Sequence, residues 1–261
     1  MGSISFEKIF QAVGNMVITM IALMTGCIVN IVLDLFFIAV LKMGVGSAAA
    51  ATIISQYISA GLCLYLLLTT TGTHRIIPSK IKIHKEYLGE ILKYGLPSGF
   101  QNSIIGLANV VVQSNINSFG DMAMAGCGAY SKIEGFAFLP ITSFTMALTT
   151  FVGQNLGARQ YDRVLKGAKF GMMCSMTLAE IIGVIIFVFG SQFIAAFDAT
   201  PEVIQFGTLR GQTSAFFFCL LAYSHCVSAI LRGAGKSMVP MIVMMVCWCF
   251  VRVAGLTIMG M

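Results

Sequence analysis

Between residues 18 and 41 this chain carries one charged side chain, Asp34, and apolar runs of similar length return along its 261 residues. About 20 such residues span a bilayer as a helix, whereas barrel strands are about half as long and alternate in polarity. Hydrocarbon offers the backbone no water to bond, so long uniform runs leave the helix as the spanning structure. The chain is 57% hydrophobic and 10% charged, with a mean hydropathy of +0.90, against roughly 25% charged in a soluble domain. The expected fold is all-α and integral to a membrane, with seven transmembrane helices at residues 18–41, 44–70, 96–119, 122–152, 170–195, 203–231 and 238–261. Glu7 and Lys8 precede the first run, which is long enough to stay in the bilayer, and this argues against a cleavable signal peptide.

The net charge of +6 needs no nucleic-acid partner, because the cations follow the positive-inside rule. Lys8, then Arg75, Lys80, Lys82, Lys85 and Lys93, then Arg159, Arg163, Lys166 and Lys169, then Arg232 and Lys236 all fall on one side. Lys42 stands alone on the other side, with Asp121, Asp198 and Glu202. This predicts a multi-pass protein of the plasma membrane with a cytoplasmic N-terminus and, as the chain stands, an extracytoplasmic C-terminus. The eight cysteines lie within spans without CxxC pairs and are expected to be small packing residues.

Residues 9–32 and 230–253 align at a shift of 221, with six of 24 positions identical, among them Ile9, Gly14, Met20 and Met24. Shared apolar bias alone gives roughly two or three identities, so the match suggests a repeat. The copies begin the first and seventh spans, which makes the unit six helices and the repeat parallel. The expected organisation is the end of an N-terminal lobe at 1–70, a cytoplasmic inter-lobe linker at 71–95, and a C-terminal lobe lacking its last helix at 96–261. On that reading five of twelve helices are absent from the chain, and its partners include those missing helices.

FVGQNLGARQYDR (151–163), YSKIEGFAFLP (130–140), NIVLDLFFI, GVGSAAAATIISQ (44–56), KYGLPSGFQN (93–102) and ILRGAGKSMVPM (230–241) together resemble the multidrug and toxic compound extrusion (MATE) family. The resemblance covers nearly the whole chain, in the family's order. It implies a twelve-helix bundle of two lobes around a central cavity, of which this chain holds about helices 5 to 11. It further implies export of organic, often cationic, small molecules in exchange for Na⁺ or H⁺, with no cofactor beyond that coupling ion.

An ionised carboxylate inside a span survives only with partners, a bound cation or a shifted pKa. Asn30 and Asp34 are four apart and share a helix face. Thr52 sits at a comparable depth on the next antiparallel helix, where its hydroxyl completes an oxygen-rich set suited to a hard cation such as Na⁺. The resemblance implies the same set, Asn30, Asp34 and Thr52, as the cation site of the first lobe. Its remaining partner, an Asp, belongs to a helix this chain lacks. The alternative is a purely structural bond from Asp34 to a neighbouring helix.

The span at 96–119 is uncharged yet carries Gln101, Asn102, Asn109 and Gln113, which would be wasted against lipid and are expected to line a substrate cavity. Glu134 and Glu180 join that list as acids attractive to cationic substrates. Lys132 and Glu134, two apart, do not face each other, so each is expected to pair elsewhere. Arg210 and Arg252 are expected to reach the interface with their long side chains, and His225 to be a hydrogen-bonded packing residue. Asn155 and Gly157 are available to cap the span before them, and Arg159 to Lys169 reads as a cytoplasmic amphipathic helix on anionic lipid. No P-loop is present, which disfavours ATP-driven transport, and no hydrolytic constellation points to an enzyme. A lipid-linked oligosaccharide flippase of the same superfamily would need a strongly cationic cavity, whereas the charges here are mixed. A non-functional fragment is the bland alternative.

Overall fold

The computed structural model describes residues 2–42, 46–70, 75–80, 82, 84–251 and 254–255, and among them there is no strand. The expected start at Gly44, Arg252, the end of the seventh span and the side chains of Lys80 and Cys249 lie outside the described residues. The chain divides into two compact units, Met1–His84 and Lys85–Met261.

The first unit holds α1 (Gly2–Ala12), α2 (Met16–Leu35), continued by a π-helical turn at Phe36–Val40, and α3 (Gly46–Thr69). α2 and α3 pack through small residues, which let helix backbones approach where lipid supplies no hydrophobic drive. Ser47, Ala51, Ser55, Ser59, Cys63 and Leu67 recur every fourth residue of α3 and are all buried. A Cβ on Gly26 of α2 would stand 3.3 Å from the Ser59 Cβ. α1 closes one end of the pair by burying Phe10 against Ala22, Cys63 and Leu67.

The second unit holds α4 (Lys85–Asn117), α5 (Asp121–Gly157), α6 (Tyr161–Ala195), α7 (Pro201–Ala215), α8 (Phe218–Gly233) and α9 (Met238–Met245), the last followed by a π-helical stretch at Val246–Val251. α5, α6, α7 and α8 pack around Tyr130, Ala137, Ile141, Ala179, Ile186, Phe218 and Ala222. α4 packs on α9 and on α5. Part of the expected linker, residues 85–95, is the start of α4.

Four of the expected spans are single helices long and apolar enough to cross a membrane: Met16–Val40, Gly46–Thr69, Asp121–Gly157 and Tyr161–Ala195. The sixth is broken at Phe216 and Phe217, where α7 and α8 meet at 57°, and counts as a fifth only if the bent pair is one span. α4 has 33 residues but its amides keep it below that apolar measure. Seven spans are therefore not what the described residues display.

The two segments that align in the sequence follow helices that end in the same way. After α1, Gly14 has φ 85, and after α8, Gly235 has φ 77. Asn15 N bonds Phe10 O at 2.9 Å and Gly14 N bonds Gln11 O at 3.0 Å, while Lys236 N bonds Leu231 O at 2.9 Å and Gly235 N bonds Arg232 O at 3.0 Å. Each is a Schellman cap with glycine at the left-handed position, and every atom pair differs by the shift of 221 found in the sequence.

The turn after α5 differs from expectation. Neither Asn155 nor Gly157 takes the left-handed position; Arg159 does, at φ 58, while Asn155 O accepts from Gln160 N at 2.9 Å. The basic segment from Tyr161 is not a separate surface helix but the first turns of α6, with Val164 and Ala168 packed on Val152 of α5. At 35 residues, α6 is about 52 Å long and overshoots the roughly 30 Å hydrocarbon core, so its basic start extends beyond it. Asp198, between α6 and α7, accepts from Thr200 N at 2.9 Å. That backbone bond, with help from the Thr200 hydroxyl, holds its carboxyl below the ordinary value of 3.8.

Candidate functional site

Asn30 and Asp34 stand one turn apart on α2, and the π-helical turn begins two residues after Asp34. Such insertions loosen the helical ladder and often mark functional positions. Asn30 Nδ2 donates to Thr52 Oγ1 of α3 at 3.4 Å, so two of the three expected cation ligands meet. Asp34 Oδ1 is buried and has no hydrogen-bond partner. Asp34 thus neither joins the Asn30 and Thr52 contact through that oxygen nor is held by it to a neighbouring helix.

Beside the Asn30–Thr52 contact lies a pocket of about 280 Å³ lined by Glu7, Leu23, Gly26, Cys27, Asn30, Thr52, Ser55, Gln56 and Ser59. Glu7 is 7% exposed. Its Oε1 lies 3.4 Å from Ser59 Oγ, and its backbone oxygen accepts from Thr19 Oγ1 at 3.5 Å. In the sequence Glu7 reads only as a charge ahead of the first span. The available signal was that Glu7 shares a face, three residues away, with Phe10, which places a carboxylate on the apolar side of a short helix.

In the second unit the expected cavity residues do not converge. Gln101 is buried, while Asn102, Asn109 and Gln113 are exposed and share one face of α4 by their spacing of seven and four. Gln113 Nε2 donates to Asn117 Oδ1 along that face at 2.9 Å. Glu180, on α6, lines a groove of about 610 Å³ with Met173, Met176, Thr177, Ile181, Val184, Ile185 and Cys219. Its Oε2 is buried without a partner. Neither Glu134 nor the α4 amides line that groove.

Glu134 instead meets Arg210 of α7, Oε2 to Nη2 at 3.8 Å, and the Arg210 guanidinium lies 5.3 Å from the centre of the buried Tyr130 ring. Arg210 thus has a carboxylate and an aromatic face as neighbours. Lys132 lies over the Phe197 ring at 5.3 Å, so the two charges of the SKIE motif do pair elsewhere. The Glu134 and Arg210 side chains are 35% and 27% exposed, so the pair lies at the surface of the chain and not in its core. A double-mutant cycle with Glu134→Gln and Arg210→Met on thermal unfolding is expected to give a coupling of about 0.5 kcal/mol. A coupling several times larger would mean the pair is shielded from water.

His225 packs edge-on to Phe138, with centres 5.1 Å apart, but its Nε2 is buried without a hydrogen-bond partner. It packs as expected, and that nitrogen lacks the expected bond. The described cysteines are all free; Cys63 and Cys226 are buried, whereas Cys27 and Cys247 are exposed. Among the described residues no group of three or more His, Cys, Asp or Glu side chains is placed to hold a metal ion.

The MatE family model matches residues 97–256. The probable multidrug resistance protein YpnP of Bacillus subtilis (strain 168) is 30% identical over 210 residues, covering 80% of this chain and 46% of that protein. The probable multidrug resistance protein NorM of Thermotoga maritima is 28% identical over 205 residues, covering 77% of this chain and 43% of that protein. The chain thus spans about half the length of these curated relatives. A solved outward-facing multidrug resistance MATE family transporter of the MOP superfamily superposes with a TM-score of 0.85 at 23% identity, covering 95% of this chain and 56% of that one. That likeness concerns the fold alone. Both named relatives are described as probable multidrug resistance proteins, so the flippase alternative finds no support in them.

Proposed function

The chain belongs to the MatE family, whose members are transporters and not enzymes, and from that premise we propose that it carries the ion-coupling site and part of the substrate path of a secondary-active multidrug exporter. One observation carries the reading. Asp34 keeps a buried carboxylate oxygen without a partner, one turn from Asn30, which touches Thr52 of the next helix, in a helix otherwise free of charge. A carboxylate in that setting is stable when it takes up a proton or a small cation.

The proposed cycle needs no energy source beyond an ion gradient. Na⁺ or H⁺ arriving from outside neutralises Asp34. The neutral and charged forms favour different packings of the helices around it, and a ligand shifts such an equilibrium by its difference in affinity for the two states. The exported compound is an organic cation or a similar amphiphile. The exposed amide face of α4 and the mostly apolar groove lined by Met173, Met176 and Glu180 suit a weak and adaptable grip on such molecules. The distribution of Lys and Arg supports a plasma-membrane protein with a cytoplasmic N-terminus.

Inside-out membrane vesicles containing a complete protein with this sequence test the proposal. Ethidium uptake is expected to rise when a Na⁺ or H⁺ gradient is imposed and to collapse with the matching ionophore. Uptake that ignores both gradients, or that needs ATP, would overturn it.

A further inference from the structure

The pocket beside Asn30 and Thr52 has a chemistry that Asp34 does not explain. Thr52 Oγ1 donates to Ala48 O at 2.9 Å, and Ser55 Oγ donates to Thr52 O at 2.9 Å. Ser59 Oγ lies within hydrogen-bond reach of both Ala22 O, at 3.1 Å, and Glu7 Oε1, at 3.4 Å. A hydroxyl has one proton to give. Thr52 and Ser55 have given theirs to helix backbone and keep only lone pairs for whatever enters the pocket. Asn30 has likewise turned its amide nitrogen to Thr52, leaving its carbonyl oxygen free to accept.

Against these lone pairs stands Glu7, more than nine-tenths buried. No Lys, Arg or His lines the pocket, and among the described residues none lies within ion-pair distance of Glu7. The neighbouring Lys8 points away and donates to Gln11 Oε1 at 2.7 Å. Oxygen ligands, one negative charge and no competing cation are what a hard monovalent cation requires. The pocket volume of about 280 Å³ accommodates such an ion with several waters, each taking about 30 Å³.

We propose that this pocket is a second cation seat, in which Glu7 and the hydroxyl oxygens of Ser55 and Ser59 hold a Na⁺-sized ion. Ser59 lies seven residues along α3 from Thr52, about 10 Å. An ion leaving the Asn30 and Asp34 end therefore meets another anionic station two turns on. The role in coupling rests on the transport reading above; the binding itself does not.

Cys27 lines the same pocket and is exposed, so its thiol reports occupancy. The test uses the purified 261-residue chain in nanodiscs, with every other cysteine replaced by Ser. The rate at which a water-soluble methanethiosulfonate modifies Cys27 is measured in NaCl and in N-methylglucamine chloride of equal ionic strength. At a Na⁺ concentration about four times the dissociation constant, modification is expected to slow roughly fivefold, since the free fraction falls as 1/(1 + [Na⁺]/Kd). Asp34→Asn should keep this protection and Glu7→Gln should remove it. Ser59→Ala, which leaves the charge in place, should raise the half-protecting Na⁺ concentration and covers the case in which Glu7→Gln misfolds. Equal rates in the two salts would overturn the proposal, as would protection that survives Glu7→Gln but disappears in Asp34→Asn. Export failing in vesicles while Cys27 protection persists would sink the transport reading and leave the second seat standing.

Discussion

Asp34→Asn will abolish gradient-driven export while leaving the protein folded and in the membrane. The two side chains have nearly the same shape, so packing on α2 is unchanged. The amide removes the charge that burial makes costly, so folding and insertion are expected to be at least as good as in the parent. It cannot take up a proton and offers a cation only a neutral oxygen. With no neutralisation step, the ion no longer distinguishes the two states of the transporter, and a ligand of equal affinity for both shifts nothing. Ethidium efflux should fall to the level of cells lacking the protein, at unchanged abundance by immunoblot. Efflux close to the parent rate would end the assignment of Asp34 as the coupling group.

The second large effect concerns packing. A Cβ on Gly126 of α5 would lie 2.6 Å from Val203 O, 2.9 Å from Gly207 N and 3.1 Å from Phe206 Cβ, and one on Gly207 would lie 2.8 Å from Gly126 O. The obstacles at Gly126 are chiefly the backbone of α7, which cannot swing aside as a side-chain tip can. Overpacking typically costs about 1–3 kcal/mol, and Ala recovers roughly 1 kcal/mol over Gly in a helix. Where backbone meets backbone the first effect wins, and Gly126→Ala should destabilise the second unit by about 2 kcal/mol. Gly128, two residues along the same helix, has nothing within 4 Å of its would-be Cβ. Gly128→Ala should therefore be neutral or stabilising. Thermal melts of both variants in one detergent, followed by size-exclusion fluorescence, check the opposite signs. Equal melting temperatures would show that α5 and α7 do not approach as closely as described.

The helical class was legible in the sequence because it depends on local facts. Long apolar runs leave the backbone no partner but itself, and the spacing of Asn30 and Asp34 places them on one face whatever surrounds them. The turns at Gly14 and Gly235 were legible for a similar reason, since both residues occupy left-handed caps that other residues enter only at a cost. Arg159 shows the limit of that argument, since it holds the same conformation without the residue type that announces it. The break between α7 and α8 falls at Phe216 and Phe217, where neither Gly nor Pro marks it.

Which polar groups meet is another matter. Asn30 finds Thr52 twenty-two residues away, Ser59 finds Glu7 at a separation of 52, and Glu134 pairs with Arg210 on another helix. Periodicity gives the face on which each side chain lies but not the rotation and depth at which the next helix presents its own. Those depend on how closely backbones approach, and here that is set by small residues such as Gly26, Gly126 and the Ser stripe of α3. The amino-acid order by itself therefore determined the helices and the isolated acid on α2. Only the packed structure decided that Glu7 is buried beside a pocket of hydroxyl oxygens, because that depends on contacts between segments far apart in the chain.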